Sequence, residues 1–210
     1  MMQIFICIII FLQFFVVRGF YWESIACHYL AEHLKNEIQK PYDASRDFPV
    51  LTYVQCPVLL KVVLITIIDK QNPIHQALLK RALRHAVMID NLESVRVLID
   101  FGVSVTSTSG DPINYVSSSE MTHLLVTNGA QVNRTHGYST PLYWAADSGH
   151  IEAVKALLKL GADPTIIDRK NNLSLKEWLQ QKKEMAQRHH DEKLIKLYKE
   201  MSEAVTPFLR

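Results

Sequence analysis

The chain has 210 residues, enough for one domain with an appendage. Its formal net charge is +2, from 23 basic and 21 acidic residues; that is too small for a nucleic-acid footprint, and no basic face alternates with aromatics. Three cysteines, Cys7, Cys27 and Cys56, precede the patterned part of the chain, and an odd count confined there argues against a disulfide scaffold, with a Cys27–Cys56 pair left open for an extracytosolic chain.

The N-terminal run "MMQIFICIIIFLQFFVV" carries no charge before Arg18. Seventeen residues stand at the lower edge of a membrane-spanning helix and the upper edge of a signal-peptide core. No Lys or Arg precedes the run, and "VVRGFYW" offers only Gly19 as a small residue for cleavage. An uncleaved apolar anchor helix over 1–18 is therefore expected, entering the bilayer through residues 2–17. With the positive charge on its C-terminal side, the positive-inside rule places the remainder in the cytoplasm. The expected location is single-pass membrane, with a cytoplasmic protein (from a later start of translation) or a secreted one as alternatives.

Residues 19–71 are expected to be an N-terminal segment packed on the domain that follows. "YWESIACHYLAEHLKNEIQK" sets Ile25, Tyr29, Leu30, Leu34 and Ile38 at helical spacing, and Pro41 ends it. "FPVLTYVQCPVLLKVVLITIID" is apolar, but Gln55, Pro57 and Lys61 interrupt it too often for a second span, so burial is expected there. Further on, "ALRHAVMIDNLESVRVLIDFGVSV" (82–105) and "DPINYVSSSEMTHLLVTNGAQVN" (111–133) each hold two apolar segments ending at a glycine.

The clearest pattern is "TPLYWAADSGHIEAVKALLKLGADP" (140–164). Pro141 fits the first turn of a helix, with Thr140 ahead of it as a cap. Ser148-Gly149 breaks that helix after about two turns. A second helix then aligns Ile151, Val154, Leu157 and Leu158 on one face, with Lys155 and Lys159 on the other. Gly161 stops it in a left-handed cap. Neither helix buries its stripe alone, so the pair needs neighbours.

This stretch resembles an ankyrin repeat, whose pattern of Thr-Pro-Leu-His-x-Ala-Ala, Gly-His, Leu-Leu and Gly-Ala-Asp recurs about every 33 residues. Thr140, Pro141, Leu142, Ala145, Ala146, Gly149, His150, Leu157, Leu158, Gly161, Ala162 and Asp163 match, while Tyr143 stands where the pattern has His. In the same register Leu83, Ala86, Asn91, Val95, Leu98 and Gly102 form an earlier unit. Pro112, Leu124, Leu125, Gly129, Ala130 and Asn133 form a shortened one, with Ser117-Ser118-Ser119 as a clipped turn. "DRKNNLSLKEWLQQ" and "DEKLIKLYKEM" fit a last, highly charged unit whose outer side faces water. "NPIHQALL" from Asn72 echoes the start of a repeat. The resemblance implies an all-α helical-hairpin solenoid over 72–202, with units near 82–105, 111–134, 139–167 and 168–202, and a tail at 203–210.

No catalytic constellation emerges, and neither a cofactor nor a metal site is expected. Adjacent His189 and His190 point about 100° apart on a helix and cannot share one ion in the usual way. His150 belongs to the repeat turn, and His75 and His85 fall within apolar helices as satisfied core residues. There is no Gly-rich phosphate loop, no Gly-x-Ser-x-Gly elbow and no Cys-x-x-Cys. Asn133-Arg134-Thr135 and Asn172-Leu173-Ser174 are glycosylation sequons that matter only in a secretory lumen.

The resemblance implies a non-enzymatic scaffold or adaptor that binds another protein, and a monomer is expected. Variable contact positions fall on His136, Gly137, Ser139, Asp147 and Ser148 in the third unit, and on Arg169, Lys170, Asn172, Gln180 and Gln181 in the fourth. Arg169 and Lys170 make a positive tip suited to an acidic partner segment. The competing classes are an effector or enzyme whose activity lies outside the repeats, and a secreted ankyrin protein with a cleaved signal.

Overall fold

A computed structural model of the chain describes residues 54–66, 68–106, 110–135 and 137–209. The apolar run at 1–18, the amphipathic stretch at 21–40 and His136 lie outside the described residues. Eight α-helices follow in order: α1 (Pro57–Thr66), α2 (Pro73–Met88), α3 (Leu92–Asp100), α4 (Ser119–Thr127), α5 (Pro141–Asp147), α6 (Ile151–Lys159), α7 (Leu175–Arg188) and α8 (Glu192–Val205). One 3-10 turn, Pro112–Tyr115, precedes α4, and another, Thr206–Phe208, closes the chain. Among the described residues the only β pairing is an isolated antiparallel bridge between Asp168 and Leu173. The class is all-α, as expected.

The turns are built to one plan. The second residue after each inner helix takes a left-handed backbone: Asp90 at φ 55°, Gly149 at 79° and His190 at 54°. The next amide then reaches back to an alanine carbonyl five residues earlier: Asn91 to Ala86 at 2.9 Å, His150 to Ala145 at 2.9 Å and Asp191 to Ala186 at 3.0 Å. This is the αL closure of a helix, which satisfies a carbonyl that the helix end leaves bare. The residue whose amide closes the turn also caps the outer helix. Asn91 accepts from the Ser94 amide at 3.0 Å and Asp191 from Leu194 at 3.1 Å, whereas His150 makes no capping bond with its side chain. Its expected place in the turn is met by backbone alone.

Outer helices end alike. After α6, Gly161 at φ 91° lets Ala162 donate to the Leu157 carbonyl at 2.9 Å. Ala130 repeats that bond to Leu125, and Val103 to Leu98, each at 3.0 Å.

Packing runs from unit to unit. The inner elements touch in series, α2 on the 3-10 turn and the 3-10 turn on α5, and the outer helices likewise, α4 on α6 and α6 on α8. Leu83, Leu98, Ile113, Leu125, Leu142, Leu157, Leu175 and Leu179 fill one continuous core. At its N-terminal end α1 lies on α3 and buries Leu59, Leu60, Val63 and Leu64. The Val54 carbonyl accepts from the buried Ser94 hydroxyl at 2.5 Å and from Asn91 Nδ2 at 3.3 Å. The odd cysteine count weighs against a cross-link, yet buried Cys56, just before α1, is disulfide-bonded. Among the described residues no helix is long and apolar enough to cross a membrane.

Three features depart from the sequence reading. "NPIHQALL" starts no separate repeat: Asn72 caps α2, its side-chain Oδ1 accepting from the Ile74 amide at 2.9 Å, and the helix runs unbroken for 16 residues to Met88. The shortening of the second unit falls on its first helix, reduced to the four-residue 3-10 turn, while Ser118 serves as the cap of α4. The last helix runs through buried Val205, past the boundary placed at 202.

The packing sets a direct test. Leu157 is fully buried on α6, and Lys159 is exposed on the same helix. Leu157→Ala is expected to cost about 2–5 kcal/mol, and Lys159→Ala no more than about 0.5 kcal/mol. Chemical denaturation of both variants measures the difference.

Candidate functional site

The third and fourth units carry the most developed surface. Thr140 caps α5, its hydroxyl accepting the Tyr143 amide at 3.4 Å, and Pro141 occupies the first turn. The short helix turns Leu142, Ala145 and Ala146 inward and leaves Trp144 and Asp147 exposed. Ser174 begins α7 with a reciprocal cap. The Ser174 amide donates to Glu177 Oε2 at 2.8 Å, and the Glu177 amide donates to the Ser174 hydroxyl at 3.3 Å. The same serine's hydroxyl and amide hold the Glu177 carboxyl below its ordinary pKa.

Between these helices lies the 168–173 hairpin, organised around buried Asp168. Its Oδ1 accepts from the Ser139 hydroxyl and its Oδ2 from the Asn171 amide at 2.8 Å. The Asn172 amide reaches the Asp168 carbonyl at 2.8 Å, with Asn172 itself left-handed at φ 55°. The Arg169 amide donates to the Tyr138 carbonyl at 2.9 Å, tying this hairpin to the preceding one. An ionised buried carboxylate is tolerable only with such donors around it.

Tyr143 completes the network. It replaces the usual histidine, and its hydroxyl accepts from Asn171 Nδ2 at 3.3 Å, so a side-chain bond between neighbouring repeats is kept. Burial raises the Tyr143 pKa to about 12, the charges of Asp168 and Asp147 add to the rise, and the Asn171 bond opposes it. Its ring lies 5.1 Å from that of Trp178, which in turn meets Tyr198 edge-on at 6.1 Å.

Above this support opens a groove of about 490 Å³. Of the expected contact positions, Ser139, Asp147, Lys170 and Gln181 line it. Ser139 is committed to Asp168, so its role there is structural. Gly137, Ser148, Arg169 and Asn172 lie outside the lining, and Gln180 faces a separate depression with Glu177 and Glu184. Tyr138, Trp144, Trp178, Lys182 and Met185 also line the groove, and sequence reasoning missed them. Trp144 was recoverable: it is the variable residue between the fixed Leu142 and Ala145, on the opposite side of a two-turn helix.

The histidines divide differently from expectation. His75 Nδ1 accepts from the Asp69 amide at 3.0 Å, closing the turn before α2. His85 is no satisfied core residue, because its buried Nδ1 has no partner among the described residues. No group of three or more His, Cys, Asp or Glu residues among the described residues is arranged to hold a metal ion.

The family model for ankyrin repeats (three copies) matches residues 83–168. The ankyrin repeat domain of Bcl-3 superposes with a TM-score of 0.57 at 19% identity, over 73% of this chain and 75% of that one. Residues 83–168 are therefore ankyrin repeats. Among curated relatives, the palmitoyltransferase ZDHHC17 of Danio rerio is 31% identical over 36% of this chain and 14% of its own length. Mouse (Mus musculus) palmitoyltransferase ZDHHC13 is 43% identical over 23% of this chain and 8% of its own. The chain therefore matches only a small part of either relative's length.

Tyr143 supplies a prediction with a definite sign. Its folded pKa exceeds the ordinary 10.0, so the stability linked to its neutral form is full below pH 10 and is lost as pH rises towards about 12. Tyr143→Phe is expected to cost about 0.5–1.5 kcal/mol at neutral pH by removing the Asn171 bond. It should also flatten the alkaline fall in stability, as read from melting curves taken across that pH window.

Proposed function

We propose that the ankyrin array is a non-enzymatic protein-recognition module whose working surface is the groove between α5 and α7. The observation that carries this reading is the exposed aromatic face there: Trp144 is 42% exposed and Tyr138 is 65% exposed, beside polar side chains on a fixed backbone. Large amphipathic rings on a rigid support, flanked by polar groups, are the usual anchors of protein interfaces. An acidic partner segment fits the positive tip formed by Arg169 and Lys170. The transferase activity in the relatives' names belongs to those proteins and is not carried over. Affinity capture with the full chain, followed by identification of what is retained, tests the reading. A specific protein is expected on the native chain and absent when Leu142→Ala and Leu157→Ala together unfold the array; recovery of none would sink it.

We further propose that residues 2–17 tether the module to a membrane with the repeats in the cytoplasm. The uncharged run and the basic residue Arg18 on its C-terminal side support this. A second reading, with the repeats in an oxidising compartment, is favoured by the disulfide at Cys56. Alkaline extraction and glycosidase treatment separate the two. The tether predicts a chain that pellets with membranes and keeps its size. A shift on deglycosylation, from Asn133 or Asn172, establishes the second reading instead.

A further inference from the structure

The starts of the last three units share a register. Four residues after the cap, the inner elements carry Tyr115 after Asp111, Trp144 after Thr140 and Trp178 after Ser174. The rings thus occupy equivalent positions in successive units. Tyr115 and Trp144 stand 37% and 42% exposed, and Trp178 is 3% exposed, forming the floor beneath the groove. Tyr138 and Met185 add exposed apolar surface at its rim.

Charge is distributed unevenly around these rings. Lys182 holds its ammonium 5.2 Å from the Trp178 ring centre, and Lys170 projects exposed from the hairpin. Neither forms an ion pair with a described residue. Asp147 is the lone carboxylate facing the groove apart from structural surroundings. Two ammonium groups at the groove, Lys182 half-buried over the Trp178 ring and Lys170 exposed at its edge, attract carboxylates, the more strongly at Lys182, where solvent is partly excluded. The amide of Gln181, both donor and acceptor, is matched to the N–H and C=O of an extended main chain. A carboxylate in the lining and a net charge of only +2 disfavour a polyphosphate backbone.

We propose that this groove binds a short extended peptide in which an apolar side chain, seated against Trp144, is flanked by carboxylates that pair with Lys170 and Lys182. The proposal rests on the protein-recognition reading and gives its partner a chemistry. It also assigns Trp144 and Lys182, which lie outside the positions expected from the repeat pattern, as the residues that set specificity.

A random 12-residue peptide display library panned on the full chain is the test, with each enriched peptide synthesised, labelled and titrated by fluorescence anisotropy. Enriched sequences are expected to be acidic with an embedded apolar residue. Trp144→Ala, and separately Lys170→Glu with Lys182→Glu, should each weaken binding tenfold or more. A peptide whose acidic residues are changed to lysine should regain affinity for the double charge variant. Melting curves establish that each variant is folded, and Lys170→Glu alone, at an exposed hairpin position, should still lower affinity severalfold. Neutral or basic enriched peptides, no enrichment, or affinity unchanged in these variants would overturn the proposal. In those cases a protein captured by the native chain still upholds the broader reading, and only its absence removes both.

Discussion

Each helical pair has an apolar stripe on its outer helix, and it is not covered until the next pair is laid against it. Val95 and Leu98, Met121 and Leu125, and Val154 and Leu157 lie in one continuous core because successive units supply the missing wall. The burial of a large aliphatic side chain is worth about 1.5–3 kcal/mol, so a lone pair holding only a few of them cannot offset the entropy of ordering its backbone. Everything else follows from that dependence. The turns repeat because each unit must present the same face at the same angle. The two ends need covers: α1 supplies one, and the charged α8 supplies the other.

The stacking also explains why polar side chains are buried where they are. Asp168 is enclosed because the hairpin before α7 must sit on the one before α5, and its carboxylate gathers the Ser139 hydroxyl and the Asn171 amide at that seam. Asn133, although exposed, also bridges two units. It donates to the Gly161 carbonyl at 3.0 Å and accepts from the Asp163 amide at 2.8 Å, so both ends of its side-chain amide are spent between units. Lys155 links outer helices, reaching Glu152 at 3.1 Å and Glu200 at 3.0 Å. That pair is exposed and adds little compared with the apolar seam beneath it. The groove inherits its rigidity from these seams, since Tyr143 and Trp178 are held from below and only Trp144 and the rim project.

Much of the fold was legible because the ankyrin pattern fixes backbone as well as core. Pro141, Gly149 and Gly161 mark positions where only a narrow set of conformations serves, and a periodic stripe fixes the face. Capping was harder to read. Asn72 before Pro73 carries the same signal as Thr140 before Pro141, but nothing local distinguishes Ser118 from its neighbours in the serine run. The length of α2 was hidden for the same reason, as no breaker separates Leu79 from Leu83. In the candidate site, hairpin positions could be named from the repeat, but their orientations depend on seam bonds that join residues about 30 apart. Ser139 reads as a surface residue until Asp168 is placed beside it.

The 3-10 turn at Pro112–Tyr115 has a consequence for cooperativity. In a linear array each unit is stabilised by its own hydrogen bonds and by its two seams, and unfolding spreads from whichever link is weakest. The second unit has given up most of an inner helix, and the Oδ1 of Asn114 is buried there without a partner among the described residues, a further cost at the same place. The array is therefore a chain with one thin link, dividing the α1–α3 end from the groove-bearing end. Amide protons on either side are expected to exchange as two cooperative blocks, the one carrying the groove keeping its order when the other opens.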